Sequence, residues 1–103
     1  MESMHLISLS DRPDRQMEYV ITFNNTNHAI KAEQYLLDHS LHVGVLPLPS
    51  QIKAGCGICL RLKKGEIRTA LDLLKDNNIG DIELYSREIV NNVFVYSKEN
   101  YME

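Results

Sequence analysis

The sequence predicts an α+β domain of the ferredoxin-like, split βαββαβ kind: a four-stranded antiparallel sheet with two helices on one face. Three observations predict it. Short β-branched and aromatic segments interleave with two helix-period segments in that order. Asparagines, glycines and prolines punctuate the joints. The chain of 103 residues, 44% apolar and 24% charged, suits one domain with a modest core.

Each element has its own reason. Met17 to Phe23 (MEYVITF) is β-branched and aromatic and runs into Asn24-Asn25, a turn signal, so it reads as strand one. Helix one is expected from Thr26 to Asp38, with Asn25 or Thr26 accepting hydrogen bonds from the free first-turn amides. Ala29, Ala32, Leu36 and either Tyr35 or Leu37 form its apolar stripe. Strand two is His42 to Leu46, closed by Pro47 and Pro49, which cannot continue a ladder; strand three is Gly57 to Leu62. Ile67, Ala70, Leu71 and Leu74 fall at i, i+3, i+4 and i+7 and define helix two, stopped by Asn77, Asn78 and Gly80. Strand four is Asp81 to Tyr85, with Ile82 and Leu84 inward and Glu83 outward.

This core, residues 17–87, is flanked by an N-terminal extension, 1–16, and a C-terminal one, 88–103. The first holds an apolar patch (Leu6, Ile7, Leu9) and a polar turn from Asp11 to Arg15. The second holds Ile89, Val90, Val93, Phe94 and Tyr96, which suit a short helix or a strand. Helices on one side leave the other sheet face open, to be covered by either extension or by a second subunit.

Composition narrows the function classes. The net charge is −3 and no segment forms a basic arm, which opposes binding driven by a nucleic-acid backbone. No apolar run reaches the ~18 residues of a membrane-spanning helix, and Glu2 and His5 interrupt any secretory leader, so a cytoplasmic setting without membrane attachment is expected. Two cysteines, Cys56 and Cys59, are too few and too close for a secreted disulfide framework.

Chemistry points to the segment between strands two and three. Cys56 lies between Gly55 and Gly57, and glycine beside a thiol permits unusual backbone angles and close approach of a reactant. In a βαββαβ sheet, strand two ends at the edge where helix one begins. Cys56 is therefore expected beside Thr26, Asn27 and His28, where free amides and the helix dipole favour a thiolate. The bland alternative is a packed, inert cysteine.

Cys56 and Cys59 form a CxxC, but residues three apart on a strand point to opposite faces, and redox CxxC pairs start helices. Cys59 then reads as a small apolar residue on the open face. Neither a metal site nor a cofactor is expected, because the histidines at 5, 28, 39 and 42 show no ligand spacing with the cysteines. Among them His28 is placed to reach sulfur, while His39 and His42 read as solvated. Arg61, Lys63, Lys64 and Arg68 form a small basic group at the opposite edge, a solvated surface or a dock for an acidic partner.

From about Tyr19 to Tyr85 the chain resembles the selenium/sulfur carrier-like family. The markers are Phe23-x-x-Thr26-x-x-Ala29-x-x-Ala32-Glu33, then Pro47-x-Pro49, Ile52, Cys56-Gly57 and Leu60-Arg61. The resemblance implies that Cys56 is the family's cysteine and that Cys59 stands where a small apolar residue is usual. It also sets Asn27 where the family often has histidine, and Gly44 and Ser50 where it tends to have arginine. The function so implied is carriage of sulfur or selenium as a persulfide-type adduct on Cys56, between donor and acceptor proteins; with no second catalytic residue in view beside Cys56, an accessory protein is expected more than an enzyme.

Two other functions compete. One is a non-catalytic interaction or small-ligand module that forms a homodimer through the open sheet face or through Val93, Phe94 and Tyr96. The other is single-stranded RNA binding, which needs aromatic residues that Gly55-Cys56-Gly57-Ile58 does not supply.

Overall fold

The computed structural model describes residues 17–101, so the N-terminal extension lies outside the described residues. The chain forms β1 (Glu18–Thr22), α1 (Thr26–Asp38), β2 (Val43–Pro47) and β3 (Ile58–Lys63). A single 3-10 turn (Lys64–Glu66) then leads into α2 (Ile67–Asp76), β4 (Glu83–Val90) and β5 (Val93–Glu99). The sheet has five strands in the order β2-β3-β1-β4-β5, each neighbouring pair antiparallel, and this corrects the expected four. The extra strand arises at Asn91 and Asn92, whose φ values of 53° and 66° make a two-residue hairpin turn of the twist that antiparallel strands require. The residues read as a C-terminal extension thus begin inside β4. Pairing between β1 and β4 ends at Glu18 and Arg87, so the tip of the β4–β5 hairpin overhangs the rest of the sheet.

Both helices pack on one face. Ile21 from β1, Phe23 just after it, Leu60 and Leu62 from β3 and Leu84 from β4 meet Ala29, Ala32 and Leu36 of α1 and Ala70, Leu71 and Leu74 of α2. These are the stripes read from the sequence, and small alanines let the helices approach the sheet closely. Leu37, the other candidate for the α1 stripe, is exposed, while Tyr35 is half-buried. Each helix ends in the same motif: Leu41 N–H reaches back to Leu36 C=O and Ile79 N–H to Leu74 C=O. The left-handed residue of that motif is Ser40 in one and Asn78 in the other, at φ 67° and 59°. Gly80, also expected in the second stop, lies two residues beyond Asn78 and takes no part in the motif.

The opposite face is not left open along its whole length. The segment between β2 and β3 folds back over it, so that Ile52, with Leu46 and Leu48, packs on Val20 and Cys59. Tyr85 and Tyr96 close the same small cluster from the β4–β5 side. Beyond it the face turns polar. Glu18 lies between Arg87, at 3.1 Å, and Arg61, at 3.7 Å, and the Arg87 guanidinium also stacks 3.9 Å from the Phe94 ring centre. Arg61 folds across Gly44, where a Cβ would lie 2.6 Å from its Nη2, so the glycine supplies the room for that side chain.

Candidate functional site

The site assembles where β1 hands over to α1. Asn25, in extended conformation, caps the helix by accepting the His28 N–H at 2.9 Å on its side-chain oxygen. This leaves Thr26 as the first helical residue with a free hydroxyl. That hydroxyl faces Cys56, whose S–H donates to Thr26 Oγ1 over 3.7 Å, a long bond of the kind thiols make. The amides of Thr26 and Asn27 have no partner within the helix, as first-turn geometry dictates. Cys56 thus sits by the helix N-terminus, as the topology argument expected.

What that argument did not supply is depth. Cys56 is 1% exposed and belongs to the main core, with Phe23 and Ala29 in the same cluster. Gly55 and Gly57 on either side are exposed, so the chain crosses the surface and turns only this side chain inward.

The two glycines differ in role. A Cβ at Gly55 would overlap the carbonyl oxygen of Asn24, so this position admits only glycine without a shift of the β1–α1 turn. At Gly57 a Cβ would meet nothing within 4 Å, and its carbonyl accepts the Leu48 N–H at 2.9 Å, which extends the β2–β3 pairing by a rung. Neither glycine has a positive φ, so the expected unusual backbone angles are corrected to a close backbone approach at Gly55 alone.

Asn27 is exposed in the same turn. His28 is half-buried, and its Nδ1 is buried without a hydrogen-bond partner. The histidines read as solvated divide. His39 Nδ1 lies 2.8 Å from the Tyr35 carbonyl, whereas His42 grips Glu66 through its amide (3.0 Å) and its ring (3.1 Å). Burial would raise the Glu66 pKa, but the His42 amide and ring, aided by Lys63, hold it below the usual carboxylate value. This clamp joins the start of β2 to the turn before α2. The basic group is largely paired, Arg61 to Glu18 and Arg68 to Asp72 at 3.9 Å.

Cys59 points to the other side of the sheet, as the strand parity required. It is fully buried beneath Ile52 and beside Val20, a burial that pushes its thiol up to about 11 although Arg87 draws it down. The two cysteines are both free thiols and belong to separate clusters. Among the described residues no group of three histidine, cysteine or acidic side chains is placed to hold a metal ion, and no helix is long and apolar enough to cross a membrane. A cavity of about 320 Å³ lies elsewhere, lined by Leu71, Ile79, Ile82 and Tyr101 among others, and touches none of the expected site residues.

An α+β sheet-and-helix domain with a glycine-flanked cysteine at a helix start is the class these features define. The family model described as "Putative Se/S carrier protein-like" matches residues 18–86, and the chain belongs to that family. No curated protein and no solved structure matches it.

Proposed function

We propose that the chain carries sulfur or selenium on Cys56, the reading of the site that its family membership and geometry favour together. The observation that carries it is the 3.7 Å approach of Cys56 Sγ to Thr26 Oγ1 at the start of α1. In loading, the Cys56 thiolate attacks the terminal sulfur of a donor persulfide. One S–S bond forms, the donor's S–S bond breaks, and the donor leaves as its thiolate; no net electrons are exchanged. Delivery is the same displacement by an acceptor thiolate, with Cys56 as the leaving group. The helix dipole and the free amides of Thr26 and Asn27 favour the anion in both steps. Asn27 and His28 border the adduct, and Gly55 and Gly57 form its surface rim. Because Sγ is buried, transfer needs a local opening of the loop that carries it. No second residue is assigned to the chemistry, so the reading is of an accessory carrier in the cytoplasm, served by donor and acceptor proteins. The strand order, in which β1 and β2 flank β3 and β3 and β4 flank β1, fits a ferredoxin-like arrangement with a fifth strand added.

A second reading has its own observation. A thiol 1% exposed inside the main core is also what an inert packing residue looks like, and the molecule would then act as an interaction module. The alkylation rate of Cys56 against pH, in a Cys59→Ala background with intact mass recorded before reductant, separates the two. A midpoint well below the ~8.5 of a free thiol, with a sulfur-sized mass increment, supports the carrier. A slow thiol with a normal or raised midpoint overturns it in favour of the module.

A further inference from the structure

The two edges of the sheet are built differently. The β2 edge is short, contains Gly44 and ends in Pro47, with Pro49 just beyond, which are features that discourage strand addition. The β5 edge has none of them. Its residues Val93-Phe94-Val95-Tyr96-Ser97 carry no charge, and Lys98 and Glu99 come only at its end. Five large apolar side chains around this hairpin, Ile89, Val90, Val93, Phe94 and Val95, are each 41–58% exposed. They are five of the eight exposed large apolar residues among those described. Ile89 and Phe94 pair on one face, Val90 and Val93 on the other, with Val95 on the side of Val93. A partner lying against one face would leave the other wet. A partner strand that continues the sheet sets its own side chains beside those of β5 on both faces.

We propose that β5 is a homodimer interface, in which a second copy pairs its own β5 antiparallel across the edge, with the two-fold axis at Val95. The hairpin turn closes at Val90 and Val93, so alternation turns the free amide and carbonyl groups of Phe94, Tyr96 and Lys98 outward. Centring the pair on Val95 sets Phe94 opposite the partner's Tyr96 and lets those outward groups bond each other. Val95 meets its own copy, and Lys98 meets an asparagine rather than a like charge. The strand is therefore its own complement, which a two-fold interface requires. Of the five exposed side chains, Val93, Phe94 and Val95 lie on β5 itself and meet the partner strand directly, while Ile89 and Val90 lie one strand in.

Sedimentation of the full chain across the micromolar range tests this directly. The wild type is expected to dimerise, and Val95→Lys, which sets two ammonium groups against each other at the axis, to raise the dissociation constant roughly 30-fold or more. A second test does not depend on that variant folding. In a Cys56→Ser, Cys59→Ala chain, Val95→Cys is expected to cross-link between subunits under mild oxidation, and Phe94→Cys at least about tenfold less. A wild type that stays monomeric, a Val95→Lys dimer of unchanged affinity, or equal cross-linking at 94 and 95 would each overturn the proposal. Because the cross-linking chain lacks Cys56, its outcome is independent of the carrier reading.

Discussion

Cys56 and Cys59 are three residues apart and share almost nothing else. Cys56 sits at the junction of a loop and a helix start, in contact with a hydroxyl, with exposed backbone on both sides. Cys59 sits in mid-strand beneath Ile52, on the other face of the sheet, with its thiol pushed up to about 11 by burial. Both are buried by area, so burial alone does not tell the proposed carrier thiol from a packing one. What sets them apart is their surroundings: for Cys56 an exposed loop and a helix N-terminus, for Cys59 an apolar cover headed by Ile52.

The largest test of that contrast is exchange of one sulfur at a time. Cys56→Ser is expected to abolish persulfide loading, read as the sulfur-sized mass increment, while Cys59→Ala keeps it. Loss of loading in both variants would break the comparison.

Next in size are the flanking glycines. Gly55→Ala drives a methyl into the Asn24 carbonyl oxygen and is expected to cost about 2–4 kcal/mol in chemical denaturation, against less than ~1 kcal/mol for Gly57→Ala. Equal costs would mean that the loop, not Gly55, absorbs the change.

The pH dependence of stability isolates Cys59. Its folded pKa is raised from an ordinary value of 9.0 to about 11, so the unfolded chain ionises this thiol first. Stability is then constant below the unfolded value and falls as pH rises through the interval up to the folded one. The wild type is expected to lose about 2–3 kcal/mol more than Cys59→Ala over that interval, read by denaturation at each pH. A parallel decline in both proteins would refute it.

The smallest effect belongs to the caps. Asn25→Ala is expected to cost about 1 kcal/mol of stability. Thr26→Val, which keeps the β-branch and removes the hydroxyl, is expected to leave stability within ~0.5 kcal/mol and to slow loading. If Asn25→Ala slowed loading as much as Thr26→Val, the hydroxyl would have no role of its own.

Much of this was legible in the residues themselves. The span of α1 and the core stripes of both helices follow from Asn25 and from i, i+3, i+4 spacing, which are local signals. The meeting of Cys56 with Thr26 followed from strand direction alone. The fifth strand did not, because Ile89, Val90, Val93, Phe94 and Val95 are apolar on both parities, so neither a period of two nor a period of 3.6 emerges. Asn91-Asn92 between them was the usable sign, since a two-residue hairpin needs residues that tolerate positive φ. The burial of Cys59 and the grip of His42 on Glu66 depend on contacts between distant segments, and no local pattern announces those.

The left-handed positions lead somewhere else. Ser40, Asn78, Asp81, Asn91 and Asn92 all have positive φ, and none of the chain's glycines does. Asparagine and aspartate tolerate that region, but serine at 40 sits there at a strain of ~1 kcal/mol or more. Engineering therefore has a ready reserve: Ser40→Gly relieves the crowding at its Cβ, offset in part by a looser unfolded chain, and is expected to lift the melting temperature by a few degrees. In that sturdier background, variants that weaken the neighbourhood of Cys56 stay folded long enough to have their chemistry measured.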